Sequence, residues 1–200
     1  MMQTLSKGLW DIVMGYYDDA SSVDEYVKMC DGYDGSELFG TLRRHLPKGA
    51  SLLELGSGPG NDVAVLQAEY QVTGSDLSLE FLRRCRQRFP ALVFEQLDAV
   101  SLLTAARVDC IYSNKVLQHL TMPDLTQSLQ RQQQLLPAQG LIAHSFWLGD
   151  KEETMHGLYF LYHERAALLA LIGQYFEVID TYDYGEFEHG DSVFVLARKR

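Results

Sequence analysis

Basic side chains, cysteine and long apolar runs are scarce in this 200-residue chain, and each shortage excludes a class of protein. Lys and Arg number 17 against 27 Asp and Glu, a formal charge of −10. A domain so acidic would meet a phosphate backbone against its own mean field, so nucleic acid is disfavoured as a partner. The one dense basic cluster, Arg83, Arg84, Arg86 and Arg88, reads as a solvated helix face. The three cysteines, Cys30, Cys85 and Cys110, are odd in number, far apart and without CxxC or Cys–His spacing, which argues against a disulfide framework or a zinc site. They read as reduced and structural. No stretch approaches the ~20 consecutive apolar residues of a membrane helix, and the N-terminus has neither the basic nor the apolar segment of a secretory signal. The expectation is a cytoplasmic protein with no membrane partner. The length suits one domain that buries its own core, without repeats or a low-complexity linker.

Glycine, by contrast, is concentrated in one telling place. Residues 52–60 read LLELGSGPG, an apolar run, an acid and then three glycines in five positions. Ser51–Leu55 is short, apolar and followed at once by residues that permit positive φ, which suits a buried strand turning into a helix near Asn61. Gly56, Gly58 and Gly60 let the backbone pass close to a ligand, although a tight strand–helix connection uses glycine for geometry alone. A second short strand, Gln71–Ser75, ends at Asp76, about twenty residues after Gly56, the offset at which a carboxylate reaches the ribose hydroxyls of an adenosine. Two readings survive, a nicotinamide dinucleotide and S-adenosylmethionine. The dinucleotide fingerprint is G-x-G-x-x-G, with backbone amides facing a pyrophosphate. This chain has G-x-G-x-G with Pro59 inside it, and proline has no amide hydrogen to offer. Glu54, just before the first glycine, would repel a pyrophosphate but favour a ligand carrying an ammonium and a sulfonium.

Four motifs in order, LLELGSGPG at 52–60, VTGSDLS at 72–78, EQLDAV at 95–100 and VDCIYSNKVLQHL at 108–120, resemble those of the class I S-adenosylmethionine-dependent methyltransferases. The resemblance covers roughly Gly32 to Lys199 and points to the small-molecule type, the methyltransferase-domain group of types 11, 12 and 25. It implies an α/β, Rossmann-like three-layer sandwich with a seven-stranded, mostly parallel sheet whose last strand is antiparallel. It implies S-adenosyl-L-methionine as cofactor and S-adenosyl-L-homocysteine as product. Cofactor contacts are expected at Tyr33, Glu54, Gly56, Ser57, Gly58, Gly60, Asp76 and Leu77, at Asp98 and Ala99 beside the adenine, and at Ser113 and Asn114 near the transferable methyl.

The coarse pattern alternates β and α, as a parallel sheet with helices on both sides requires. A single domain divides into a helical cap over 1–50, a cofactor-binding core over 51–147, and a substrate-side insertion, helix and closing β pair over 148–200. Helices are expected over Asn61–Tyr70, from a Ser78 cap to Arg88, over Pro123–Leu136 and near Glu164–Gly173. Strands are expected over Leu92–Glu95, Val108–Ser113, Leu141–Phe146, Tyr175–Tyr182 and Ser192–Arg198. In the cap, Ser22 and Glu25 resemble a capping box, and Ser36 precedes a helix over Glu37–Leu46 with Leu38, Phe39, Leu42 and Leu46 on one face. Trp10 and Tyr16 read as packing residues. Tyr26 and Tyr33 are expected near the cofactor.

Methyl transfer from a sulfonium asks the protein mainly to align nucleophile, carbon and sulfur. Where the nucleophile must lose a proton, His119 in LQHL is the candidate base, since its ordinary pKa of about 6.5 suits proton transfer near neutrality. A histidine there serves equally as a packing residue. Tyr17, Tyr26, Trp147, Tyr159 and Tyr162 are the candidate substrate contacts, with His144 and His163 close in sequence, and the acidic segment Asp150–Met155 reads as mobile. His163 and Glu164 read as a helix start rather than a catalytic pair. No carboxylate or asparagine accompanies Asp109 in a metal-binding pattern, so no metal is expected. The expected partner is a small-molecule methyl acceptor, for a monomer or homodimer. The competing readings are a non-catalytic cofactor-binding protein of the same fold and an NAD-linked oxidoreductase.

Overall fold

The computed structural model describes residues 16–17, 19–30, 32 and 34–200. Its centre is β1 (Ser51–Leu55), a five-residue strand buried on both faces, as the apolar run requires. Alternation sends Leu53 and Leu55 into one core and Leu52 into the other, so a single strand anchors both layers of helices. β2 (Gln71–Asp76) pairs with it in parallel on one side and β4 (Cys110–Asn114) on the other. β3 (Val93–Gln96) lies outside β2, and β5 (Leu141–Trp147) lies beyond β4. β9 (Ser192–Lys199) then runs antiparallel to β5 and to β8 (Phe176–Tyr184), giving a seven-stranded sheet of order β3-β2-β1-β4-β5-β9-β8. The chain leaves β1 toward β3 and returns to β4 on the opposite side. The carboxyl ends of β1 and β4 therefore flank a topological switch point, where open α/β sheets bind their ligands.

One core lies under α5 (Met122–Leu135) and α6 (Arg165–Gly173), with Leu125, Leu129, Leu168 and Ile172 packed on Phe146 and Phe176. The other lies under α2 (Ser36–His45), α3 (Asn61–Leu66) and α4 (Leu79–Arg88), where Leu42, Val63 and Leu82 meet Tyr112 and Phe194. Full burial of each such side chain is worth about 1.5–3 kcal/mol. Ser78 caps α4 as its sequence suggests, its hydroxyl accepting from Phe81 N at 3.2 Å.

Several local expectations need correction. α1 (Ala20–Met29) is capped by Asp19, whose carboxylate accepts from the amides of Ser21 and Ser22, so the pair Ser22 and Glu25 makes no capping box. α2 starts at Ser36 itself, with Asp34 Oδ1 accepting from its amide at 2.9 Å. α3 is only six residues long, because the chain turns at Gln67 to reach β2. The acidic segment after β5 is ordered into β6 (Glu152–Met155), paired with β7 (Leu158–Leu161) as an antiparallel hairpin. Tyr159 and Tyr162 hold it by donating to Glu152 and Glu153 at 2.6 and 2.7 Å. These cross-strand bonds were hidden behind a segment that reads as merely charged. Trp10 and Tyr33 lie outside the described residues.

Gly60, the N-cap of α3, has φ +79, and a Cβ there would stand 2.7 Å from the Phe89 ring. Gly60→Ala combines backbone strain with a ring contact that the core cannot easily yield, and should cost about 1–3 kcal/mol. The check is the denaturant midpoint at unchanged slope; a midpoint equal to the parent's would mean that Phe89 moves freely.

Candidate active site

The glycine loop is sewn to the end of β2 before any ligand is considered. Ser57 N donates to Ser75 O at 2.7 Å and Ser75 N to Ser57 Oγ at 3.1 Å. Gly58 N donates to Asp76 Oδ2 and Ser78 N to Asp76 Oδ1, both at 2.9 Å. The acid that ends β2 is thus the clamp of the loop after β1. Gly56 has φ +64 with no room for a Cβ, which would lie 2.5 Å from Val116. Gly58, at φ +49, faces open space, its nearest neighbour being the Tyr26 ring.

That space consists of two adjoining cavities of about 160 and 110 Å³, which share Tyr26, Gly56, Gly58, Asn114 and Lys115. The first is acidic, lined also by Glu54, Ser57, Asp62 and Glu186. The second is mostly apolar and aromatic, with Tyr17, Leu77, Phe81, Leu97 and Ala99 around Asp76 and His119. A broader, open depression of about 830 Å³ lies outside the switch point, between the end of α1 and the face of α4. α1 roofs the inner pair. Tyr17 and Tyr26 meet edge-to-face at 5.2 Å, and Tyr26 meets Phe81 at 5.7 Å. Arg84 bridges Glu80 at 2.7 Å and Asp24 of the roof at 2.6 Å, while Ser78 Oγ donates to Tyr17 O at 2.6 Å. The basic cluster is largely spoken for internally, since Arg83 also pairs with Glu80 and Arg86 and Arg88 donate to the carbonyls of Phe94 and Pro59.

The electrostatics fit a cation at the first cavity. Glu54 is 2 % exposed and its Oε2 has no hydrogen-bond partner among the described residues. Burial, reinforced by the neighbouring Asp62, pushes its carboxyl well above the usual range. Burial also raises Asp62, against the bonds that it accepts from Tyr112 Oη at 2.7 Å and Asn114 Nδ2 at 3.1 Å. Burial lifts Asp76 to about 6, in spite of its backbone donors. A buried, unsatisfied carboxylate is costly alone and favourable beside an ammonium group.

Lys115 stands between the cavities and is, among the described residues, the one Lys or Arg lining either of them. Its φ of +58 is uncommon for a side-chain-bearing residue and marks a position fixed by its surroundings. Burial lowers its pKa to about 8, with Glu186 acting in the opposite sense. His119 Nδ1 lies 2.9 Å from Tyr159 O, and a carbonyl can only accept, so Nδ1 carries the proton and Nε2 is the basic nitrogen. Burial holds this imidazole below its ordinary pKa, hence neutral near pH 7.

Of the expected cofactor contacts, the structure gathers Glu54, Gly56, Ser57, Gly58, Asp76, Leu77, Ala99 and Asn114 around the two cavities. Three others turn elsewhere. Gly60 packs on Phe89. Ser113, one residue before Asn114 and so on the other face of β4, bonds His144 Nδ1 at 2.8 Å. Asp98 folds its carboxylate back onto Val100 N at 2.7 Å. Tyr17 and Tyr26, expected at the substrate, line the cavity with Asp76. Trp147 stacks between Phe160 and Tyr162 at 5.3 and 5.4 Å and reaches the acidic cavity through Nε1, which donates to Glu186 at 2.8 Å, whereas Tyr159 lines neither cavity and donates its hydroxyl to Glu152 on the hairpin. Asp62, Lys115 and Glu186 were missed. Lys115 lies within the fourth motif and could have been noticed; Glu186 reaches the site across 71 residues of chain, with no local signal. Among the described residues, no group of three or more His, Cys, Asp and Glu could hold a metal ion, and no helix is long and apolar enough to cross a membrane.

The strand order and the switch-point cleft define a class I methyltransferase fold, and comparison with known proteins narrows this. Residues 52–140 match the family described as a methyltransferase domain. The trans-aconitate 2-methyltransferase of Azoarcus sp. is 34 % identical over 114 residues, which cover 53 % of this chain and 45 % of that protein. The enzyme of the same name from Methylobacterium radiotolerans is 36 % identical over 111 residues, covering 54 % and 41 %. The chain thus spans less than half the length of these relatives. Among solved structures, the 1,6-didemethyltoxoflavin-N1-methyltransferase of Burkholderia thailandensis, with bound 1,6-didemethyltoxoflavin and S-adenosylhomocysteine, superposes with a TM-score of 0.80 at 21 % identity, covering 100 % of this chain and 93 % of that one. The N-methyltransferase NodS of Bradyrhizobium japonicum, in complex with S-adenosyl-L-homocysteine, gives 0.70 at 15 % identity, covering 92 % and 98 %. The chain thus has the class I methyltransferase fold and, over residues 52–140, matches the methyltransferase-domain family.

Asp76 makes the ligand-free protein's stability depend on pH in a definite direction. Its folded pKa of about 6 lies above an unfolded value of about 3.9, so the folded state holds the proton more tightly. The contribution is fully present below about pH 4 and is lost as pH rises through about 6. Asp76→Asn should flatten the decline in denaturant midpoint between those values, with the remainder due to Glu54 and Asp62; an unchanged slope would place this carboxyl in water.

Proposed function

We propose that the protein binds S-adenosylmethionine in the paired cavities and transfers its methyl group to a small-molecule acceptor. The observation that carries this reading is the buried Glu54 carboxylate, whose Oε2 has no hydrogen-bond partner among the described residues and which shares a cavity with the open backbone of Gly58, in a cleft that is acidic at one end and aromatic at the other. A ligand with an ammonium and sulfonium at one end and an adenosine at the other suits that polarity. Glu54 and Asp62 would hold the ammonium end, Asp76 the ribose hydroxyls, and Tyr17, Phe81 and Ala99 the adenine. When bound, the cofactor supplies a methyl carbon on a sulfonium with a neutral thioether as leaving group, so alignment is the main demand on the protein.

The chain's own residues favour an anionic acceptor. Lys115 offers the site its cation, and the relatives are named for trans-aconitate, a carboxylic acid. A carboxylate oxygen is already ionised at neutral pH, so no base need remove a proton. His119 then acts as a positioning residue, Nε2 facing the acceptor while Tyr159 O holds the ring. For an N–H acceptor the same neutral imidazole would instead take the proton.

Three measurements test this. S-adenosylhomocysteine at about 100 times its dissociation constant should stabilise the fold by about 2.7 kcal/mol, with NAD giving no shift. The reverse pattern would sink the proposal. Glu54→Gln, which keeps the shape and removes the charge, should weaken S-adenosylhomocysteine binding by roughly tenfold or more. For transfer itself, release of S-adenosylhomocysteine is followed against trans-aconitate and a panel of acids, amines and phenols. No turnover with any of them would favour a binding protein of the same fold.

A further inference from the structure

Between β8 and β9 the loop 185–191 carries a carboxylate back into the site. Asp191 accepts from the amides of Glu186, Phe187 and Glu188 at 2.9, 2.8 and 2.9 Å, which fixes the loop's backbone. From that base Glu186 lines the acidic cavity, and its Oε2 lies 3.2 Å from Lys115 Nζ and 2.8 Å from Trp147 Nε1. The two partners are unequally bound. Lys115 keeps other support, donating to Ser192 Oγ at 2.6 Å and Phe146 O at 3.3 Å, with its charge 5.1 Å from the Tyr184 ring and 5.6 Å from that of Trp147. Glu186 has only the Lys115 and Trp147 donors among the described residues, and its side chain is 29 % exposed against 13 % for Lys115. The cation is fixed and the carboxylate is exchangeable.

We propose that Glu186 stands in the acceptor's own anion position and so acts as the specificity-determining residue: an acceptor enters productively by presenting a carboxylate that replaces it against Lys115 Nζ and Trp147 Nε1. This rests on the methyltransferase reading of the site. The replacement exchanges one carboxylate for another. Both donors stay satisfied and Glu186 swings to water, where its charge is solvated at little cost. A neutral molecule makes no such exchange, because displacing Glu186 would strip Lys115 of its counter-charge. Lys115 lies directly after Asn114, so an anion bound there sits at the carboxyl end of β4, between the two cavities.

The test is calorimetric titration of the wild type and Glu186→Gln, each with saturating S-adenosylhomocysteine, using trans-aconitate, glutarate and acetate as anionic probes and trimethyl trans-aconitate as the neutral control. Freed of its internal competitor, Glu186→Gln should bind at least one anionic probe roughly fivefold more tightly, with the ester unaffected. Lys115→Met should abolish anion binding. Glu186→Asp, which retracts the charge by one methylene, should move in the same direction by less, and thermal melts confirm that each variant is folded. Equal or weaker binding by Glu186→Gln overturns the proposal, as does failure of every anionic probe to bind either protein. The cofactor reading fails separately, if S-adenosylhomocysteine does not stabilise the wild type.

Discussion

The two bonds that Asp76 accepts, from Gly58 N and Ser78 N, are the constraint on which the site depends. Strand pairing fixes β1 and β2 side by side, but a loop of glycines has no side chains to say where it lies above them. One carboxylate at the end of β2 settles it, holding the loop by its middle residue and starting α4 with the other oxygen. The same helix sends Arg84 to Asp24 and so carries the roof. Loop, wall and roof are referenced to a single side chain. This is also why Asp76 tolerates burial: its backbone donors resist the desolvation that raises its pKa.

The charge balance of the cleft follows from the sheet. Alternation along β1 turns Glu54 to the face of Leu52, where it is buried at the wall of the cavity, and the short α3 puts Asp62 beside it. Lys115 does not neutralise this pair, being committed to Glu186 and the aromatic rings on the far side. The cleft therefore keeps Glu54 and Asp62 without a cationic partner while Lys115, at the junction of the two cavities, already carries its own counter-charge in Glu186.

How much of this was legible depended on whether the signal was local. β1, its glycine turn and Ser78 as a helix cap were readable, because each rests on a short run of residues with its own conformational preference. The seven-stranded, mostly parallel sheet with its antiparallel last strand followed from the resemblance of four motifs in sequence order, not from any one of them, and the strand order itself came only with the structure. Ser113 and Asp98 lie within the recognised motifs, yet their side chains point to His144 and to Val100 N, since a motif fixes the backbone more firmly than it fixes every side chain. The hairpin of β6 and β7 was opaque for another reason. Glu152 and Glu153 look like a solvated run until Tyr159 and Tyr162 are seen to pair with them across the strands. Glu186 is the extreme case, an acid in an acidic stretch, given meaning only by a lysine far away in sequence.

Ser78 does two things with one hydroxyl, accepting from Phe81 N to begin α4 and donating to Tyr17 O to tether the roof. The roof helix α1 has a single buried residue, Val23, and is otherwise held by the Arg84–Asp24 ion pair and the Tyr26–Phe81 ring contact, both made with α4. A segment with so few buried apolar contacts belongs to the low-stability end of a fold and opens locally before the core strands do. The amides of α1 should thus exchange with solvent before those of β1, and a local opening of this helix would uncover the cleft beneath it.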